Sequence, residues 1–260
     1  MEGLDSALFQ NAFSSLTGAS LQAEMTDVSL ASCNTREVVV RILPRGNYRR
    51  ELPKEQDGKI RLDLGPVSSP RGMGLQLLRL ARVVAHGCEQ NGGLWVHGAL
   101  VEWQGEGVIL AGPGGVGKST AAGRLPLPWH ALSDDMCLIA KSVSGEYQAH
   151  PWPTFSRIRL GDFSGKWDVQ RAVPLRMICM LFQHETDRLK PLSFRQAVSE
   201  LVDVSGQTGV YLTAELDQEV VREVNVTRFH NAVEMAREVP VYRLNISLRG
   251  RFWEEIEKLL

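Results

Sequence analysis

Residues 108–119 read VILAGPGGVGKS, an apolar run followed by a match to the phosphate-binding pattern G-x-x-x-x-G-K-[ST]. Glycines lack a Cβ, so successive backbone N–H groups can turn toward phosphate oxygens, and the positive end of a following helix points at the same anion. In this pattern Lys118 reaches the β- and γ-phosphates, while the Ser119 hydroxyl binds magnesium. We therefore expect ATP and Mg²⁺ as cofactors, although the motif itself does not distinguish ATP from GTP. The predicted nucleotide cradle comprises Gly112, Pro113, Gly114, Gly115, Val116, Gly117, Lys118, Ser119 and Thr120. An accidental glycine-rich turn is the alternative interpretation.

Composition narrows the classes of partner. The 260 residues include 29 Lys+Arg and 30 Asp+Glu, so the formal net charge is -1. A nucleic-acid or anionic-membrane binder normally carries a basic patch, and the sequence predicts neither kind of partner. Acidic Glu2 and Asp5 stand where a secretion signal would carry basic residues, and the four cysteines are widely spaced. A cytoplasmic location is expected.

Strand and helix patterns alternate along the chain, which predicts the α/β class. EVVVRI (37–42) and KIRLDL (59–64) are predicted strands of a hairpin with a long loop. GLQLLRLARVVAHGC (74–88) has the spacing of an amphipathic helix that closes near Gly87. LWVHGALVEW and GVILAG are predicted to pair through a tight turn. We expect an N-terminal α/β segment in residues 1–90 and a phosphate-loop domain in residues 91–260.

The segments after the motif continue this alternation. A short helix is predicted from Lys118, and a single buried strand is predicted in HALSDDMCLIA, residues 130–140. The remaining predicted elements are a strand in MICMLF, a helix in SFRQAVSELV, a helix near 217–237, a strand in VPVYRLNISL and a last helix in RFWEEIEKLL.

Two adjacent acids inside the predicted strand are candidates for chemistry. Asp134 and Asp135 are costly to bury unless a cation or a proton offsets their charge. Neighbouring strand residues point to opposite faces, so one carboxylate can hold magnesium while the other accepts a proton from an attacking hydroxyl. The predicted metal ligands are Ser119 and Asp134. The alternative places both acids in an exposed turn where the strand breaks.

Order and spacing of these motifs resemble the HPr kinase/phosphorylase family. The resemblance is carried by VHGALV (96–101), GEGVILAG (105–112), the phosphate-binding motif and LSDD (132–135). It implies a P-loop core shared with PEP carboxykinase and transfer of phosphate to a seryl hydroxyl of a protein, a peptide or free serine. PLRMICMLFQHE, SFRQAVSEL and VPVYRLNIS are similar to phrases in small relatives from peptide-modification gene clusters, including the HPr-kinase-like member of the SynChlorMet cassette, which accompanies radical SAM enzymes.

Site roles follow from this resemblance residue by residue. It implies that His97, Lys118, Asp134 and Asp135 are catalytic, with one of the two aspartates as general base. The glycine-rich C-terminal signature of the family has no clear counterpart in FSRIRLGDFSGKWDV, so regulation by HPr is not expected. Arg157 and Arg159 in that segment are candidates for a charge clamp on the transferred phosphoryl group. Arginines on the solvent face of a strand are the alternative.

The expected function is therefore an ATP-dependent kinase that phosphorylates a Ser or Thr hydroxyl of a small ribosomally made precursor peptide or protein. Residues 1–90 are a candidate for presenting that peptide by adding it as a strand to a sheet. A nucleotide-binding scaffold of a peptide-modification pathway, and a kinase of a metabolite such as free serine, are the alternatives. Expected partners are the substrate and other pathway enzymes, and the resemblance also implies a homo-oligomer.

Overall fold

The computed structural model describes residues 27–28, 38–42, 54–56, 59–65, 70–142, 144–154, 167–169, 171–213 and 217–260. Within these residues the chain is a mixed α/β protein with two sheets. The smaller sheet has the order β1-β2-β4-β3. Its strands are β1 (Asp27–Val28), β2 (Val38–Ile42), β3 (Lys54–Gln56) and β4 (Lys59–Leu64).

The larger sheet has eight strands in the order β11-β12-β10-β6-β5-β8-β9, with β7 paired to β5. Strand β10 also pairs with β9 at Val173 and Ala149. The strands are β5 (Leu94–Trp103), β6 (Glu106–Ala111), β7 (His130–Ser133), β8 (Met136–Lys141), β9 (Tyr147–Trp152), β10 (Val173–Gln183), β11 (Arg188–Pro191) and β12 (Val241–Ile246).

Helices cover both faces of the larger sheet. They are α1 (Pro70–Gln90), α2 (Lys118–Arg124), α3 (Phe194–Thr213), α4 (Gln218–Glu238) and α5 (Trp253–Glu257). Alternate residues of β6 face the two layers, because successive strand side chains point to opposite faces. Ile109 packs in the cluster that contains core residues of α3 and α4, whereas Leu110 packs with residues of α2 and α5. None of the helices within the described ranges is long and apolar enough to cross a bilayer.

The predicted hairpin before the phosphate-binding motif is confirmed. Strands β5 and β6 pair antiparallel from Gly98 opposite Ala111 to Trp103 opposite Glu106. The turn has Gln104 at φ 51° and Gly105 at φ 89°, the left-handed pair that suits the twist of a two-residue hairpin. This register aligns both ends of β6 with β5. It therefore determines where the phosphate-binding motif leaves the sheet.

The prediction of a hairpin between residues 37–42 and 59–64 is wrong. Strands β2 and β4 pair in parallel, with Val38 opposite Ile60, and β3 is the antiparallel partner of β4. A parallel pair needs a connection of about a dozen residues or more, and residues 43–58 are long enough to supply one. Strand propensity identified both segments, but it does not determine the relative direction of two strands.

Helix α1 is longer than predicted and links the two sheets. It begins at Pro70 and ends at Gln90, and Gly92 at φ 81° supplies the left-handed turn after its end. Gly87 therefore lies inside the helix. The helix contacts β4 of the smaller sheet as well as β5 and β8 of the larger one. The proposed division at residue 90 stays a prediction.

Gly98 is required by the close packing of β5 on β6. A Cβ at this position would lie 2.7 Å from Cγ2 of Ile109 and 3.4 Å from the carbonyl oxygen of Leu110. We expect Gly98→Ala to lower the free energy of unfolding by about 1–3 kcal/mol, because the neighbouring core must shift. Urea denaturation checks this value, with Gly123→Ala, where a Cβ meets open space, as the matched control. Equal stability of both variants would contradict the packing argument.

Candidate functional site

Three parallel strands end side by side where the glycine-rich loop, residues 112–119, begins. Strand β10 runs parallel to β6, with Met180 opposite Ala111, and parallel to β12, with Gln183 opposite Ile246. Ligands of α/β proteins bind outside the carboxyl ends of such strands. The loop follows β6 directly and therefore lies at that edge.

Glycine is required at several positions of the glycine-rich loop. Gly112, Gly115 and Gly117 have φ values of 146°, 79° and 105°, which side chains rarely allow. At Gly112 a Cβ would also lie 3.2 Å from Cγ1 of Val116 and 3.4 Å from the carbonyl oxygen of Leu181. The glycines of the loop therefore determine its conformation. In this conformation the residues exposed to a ligand are Pro113, Gly114, Gly115, Ser119 and Thr120.

Lys118 is the buried cation of this edge. Its side chain is only 5% exposed, and Nζ donates to the carbonyl oxygens of Gly112 at 3.0 Å and Pro113 at 3.2 Å. Burial lowers the pKa of Lys118, and the charge of Asp135 acts in the opposite direction. The ammonium of the loop and the carboxylate of Asp135 therefore belong to one electrostatic site.

The acid pair does not lie inside one continuous strand, and that prediction is wrong. The segment splits into β7 and β8, and Asp134 and Asp135 form the bend between them. Both β7 and β8 pair with the single long strand β5: Ser133 lies opposite Leu100, and Met136 lies opposite His97. The predicted strand breaks at the point where its pairing passes from one section of β5 to the next. The alternative is confirmed in its break of the strand and wrong in its exposure, because both acids are half-buried and hydrogen-bonded.

His97 lies between the loop and the acid pair. Its neighbour Gly98 pairs with Ala111, the last residue before the glycine-rich loop, and His97 itself pairs with Met136 on the other side of β5. Nε2 of His97 lies 2.8 Å from Oδ1 of Asp135, with side-chain exposures of 19% and 25%. Nδ1 lies 2.6 Å from Oε1 of Gln207 on α3.

Asp134 has a different set of partners. Its Oδ1 accepts a hydrogen bond from Oγ1 of the buried Thr154, and its backbone oxygen accepts one from Oγ of Ser119 at 3.2 Å. The two predicted metal ligands thus meet through the backbone oxygen of Asp134, while its carboxylate contacts Thr154. Arg157 and Arg159, the candidate charge clamp, lie outside the described residues.

Three polar residues at this edge were not predicted from the sequence. They are Gln207, which contacts His97; Thr154, which contacts Asp134; and Gln183, whose Nε2 lies 3.4 Å from the carbonyl oxygens of Gly115 and Val116. Each of them is separated from its partner by 20 residues or more along the chain. No local pattern signals such residues, because only the folded sheet brings them to the site.

The donor set suits a cation that is shared with phosphate. Among the described residues, no group of three or more His, Cys, Asp and Glu side chains could hold a metal ion by itself. Magnesium commonly takes one or two protein oxygens and completes its shell with phosphate oxygens and water. Ser119 and Asp134 fit that pattern.

Comparison with known proteins places the chain in a family. Residues 65–260 match the family model described as ScmC, SynChlorMet cassette protein ScmC. The match begins directly after β4, continues to the last residue, and includes every described site residue named above. No curated protein matches the chain.

Proposed function

Since the chain belongs to the family of SynChlorMet cassette protein ScmC, we propose that it is the kinase of such a cassette, with a P-loop core of the HPr kinase type. In this proposal it transfers the γ-phosphoryl group of ATP to a Ser or Thr hydroxyl of a small ribosomally made precursor peptide. The family description supports a role in the cassette. The chemistry is argued from the site.

One observation carries the proposal: a buried lysine, a hydroxyl and two separately hydrogen-bonded carboxylates meet at one sheet edge. Lys118 begins helix α2, Ser119 contacts the Asp134 backbone, and Asp135 contacts His97. Phosphoryl transfer needs cations beside the phosphates and a carboxylate that orients the attacking hydroxyl. The protein itself forms no covalent bond to the transferred group. A site that only binds nucleotide does not need the second carboxylate.

The residues divide into two groups by their contacts. Ser119 and Asp134 would hold Mg²⁺, which supplies neutralisation of the phosphate charge when it is bound. Lys118 would bind the phosphates, and the glycines would let the backbone approach them. The carboxylate of Asp135 instead contacts Nε2 of His97, which holds it in place. We therefore assign the general-base role to Asp135.

The reaction follows from this division. The acceptor hydroxyl oxygen forms a bond to the γ-phosphorus while the bond from that phosphorus to the β–γ bridging oxygen breaks. The hydroxyl proton passes to the carboxylate of Asp135, and ADP leaves with the bridging oxygen. Positioning and electrostatics supply the rate enhancement, as in other phosphoryl transfers.

Intact-mass spectrometry tests the proposal directly. The full-length protein is incubated with ATP, Mg²⁺ and the precursor peptides encoded in the same gene neighbourhood, beside Lys118→Ala and Asp135→Asn variants. We expect one phosphate on a peptide with the native protein and none with either variant. No mass gain on any peptide, with ATP still bound, contradicts the peptide kinase. Phosphorylation of free serine under the same conditions would then identify a metabolite kinase. If free serine is not phosphorylated either, the protein is the nucleotide-binding scaffold.

Lys118→Ala is also expected to weaken nucleotide binding. Loss of the buried ammonium removes a charge-assisted hydrogen bond of about 1.5–3 kcal/mol, so the dissociation constant of a nonhydrolysable ATP analogue should rise about 10- to 100-fold. Isothermal titration calorimetry measures this change. The matched control is Lys141→Ala, since Lys141 pairs with Glu238 on α4 and not with the loop. Equal affinity of the Lys118→Ala variant and the native protein would show that Lys118 does not bind phosphate.

A further inference from the structure

We propose that Gln207 is a positioning residue that holds the imidazole of His97 against Asp135. Its effect on phosphoryl transfer rests on the proposed function, whereas its effect on the His97 ring does not. Helix α3 lies far from the phosphate-binding motif in sequence, and neither the motif nor the predicted site includes this residue.

The two contacts of the imidazole leave its orientation no freedom. Nδ1 lies 2.6 Å from Oε1 of Gln207, and Nε2 lies 2.8 Å from Oδ1 of Asp135. A histidine ring nitrogen is placed by the hydrogen bond that the opposite nitrogen makes. The contact between Nδ1 and Gln207 therefore directs Nε2 at the carboxylate. Without it, rotation of the ring about its Cβ–Cγ bond would separate Nε2 from Asp135.

Gln207 is itself held by the rigid packing of α3 on β5. The next residue, Thr208, is buried and donates to the backbone oxygens of Trp95 at 3.2 Å and Ser205 at 2.7 Å. Trp95 is two residues before His97 on the same strand. Leu201 and Val204 of α3 belong to the core cluster on this face of the sheet. The amide of Gln207 and the ring of His97 thus lie on two elements that pack in one core cluster and are joined by the hydrogen bond from Thr208 to Trp95.

The contact between Gln207 and His97 lies in a partly buried region and not on the open surface of the helix. Gln207 is half-buried, and ordering a glutamine side chain costs rotamer entropy that a weak contact does not offset. The partner ring also contacts the carboxylate to which we assign proton transfer. A chain of three side chains from three elements, α3, β5 and the β7–β8 bend, therefore sets where the general base stands.

Nitrogen NMR of the histidine side chains tests the contact without any assay of activity. Long-range ¹H–¹⁵N spectra are recorded for the full-length native protein and for Gln207→Leu, and a His97→Gln variant assigns the His97 signals. We expect the Nδ1 signal of His97 at a hydrogen-bonded position in the native spectrum and a shift of that signal in Gln207→Leu. Gln207→Glu retains an acceptor oxygen at the same reach and should keep the signal. Gln196→Leu is the matched control on the same helix, because Gln196 contacts Ser193 and not His97. Unchanged His97 signals in Gln207→Leu would overturn the proposal.

The kinetic readout separates this proposal from the proposed function. For a peptide that the native protein phosphorylates, we expect Gln207→Leu to lower kcat about 10- to 100-fold, the scale found for hydrogen-bond partners of metal-bound histidines. The KM for ATP should stay unchanged, and Gln207→Glu should recover most of kcat. A rise in KM with kcat unchanged would overturn the positioning role. If the native protein transfers no phosphate, the kinase proposal fails and the NMR spectra alone decide the role of Gln207.

Discussion

Replacing Asp135 with asparagine is expected to lower the rate of phosphoryl transfer about 10²- to 10⁴-fold, the contribution of a positioned general base. Asparagine has the size of aspartate and can still accept a hydrogen bond from His97, so the change removes the basic oxygen and little else. The 2.8 Å contact with His97 is the reason to select Asp135, since Asp134 is engaged by Thr154 and lies beside Ser119. Single-turnover kinetics with saturating ATP measure the effect.

Two further variants make this prediction specific. Glu146→Gln is the control, because Glu146 is an exposed carboxylate in the β8–β9 turn that contacts Ser144. It should transfer phosphate at the native rate. Asp134→Asn should instead raise the concentration of Mg²⁺ that half-maximal activity requires, because we place Asp134 with the metal. A native rate for Asp135→Asn together with a loss of rate for Asp134→Asn would reverse the two assignments.

Removal of Glu89 is expected to lower the free energy of unfolding by about 3–5 kcal/mol, the usual cost of leaving one charge of a buried pair alone. Glu89 in α1 and Arg228 in α4 are 3% and 4% exposed, with Oε1 and Nε 2.5 Å apart. Burial raises the pKa of Glu89, and the Arg228 guanidinium opposes that shift. In Glu89→Ala the buried guanidinium has lost its counter-charge. Urea denaturation with an unchanged m-value would report the loss.

The double variant Glu89→Leu/Arg228→Met tests the reason for this loss. Replacing both members of a buried ion pair with apolar residues of similar volume is often neutral or stabilising, so the double variant should recover most of the stability. Glu254→Ala is the exposed control, since Glu254 pairs with Arg251 at the surface and should contribute less than about 1 kcal/mol. If Glu89→Ala were as stable as Glu254→Ala, the pair would not hold α1 against α4.

Sequence patterns predicted the elements better than their partners. The β5–β6 hairpin, the helix from Lys118 and the strand in β10 follow from turn glycines, apolar runs and spacing, which are local properties. The parallel pairing of β2 with β4 was missed, since strand propensity does not record the direction in which two strands pair. The break at Asp134 and Asp135 was predicted only as the alternative, because it follows from the long strand β5, which takes β7 and β8 as successive partners.

The amino-acid sequence by itself determined the glycine-rich loop and its lysine, because only glycine tolerates those backbone angles and because the motif is contiguous. The tertiary structure decided which carboxylate contacts His97, which contacts Thr154, and that Gln207 belongs to the same edge. Contacts of this kind join residues 20 to 110 positions apart. They depend on strand register and on helix packing, which no local pattern of residues records.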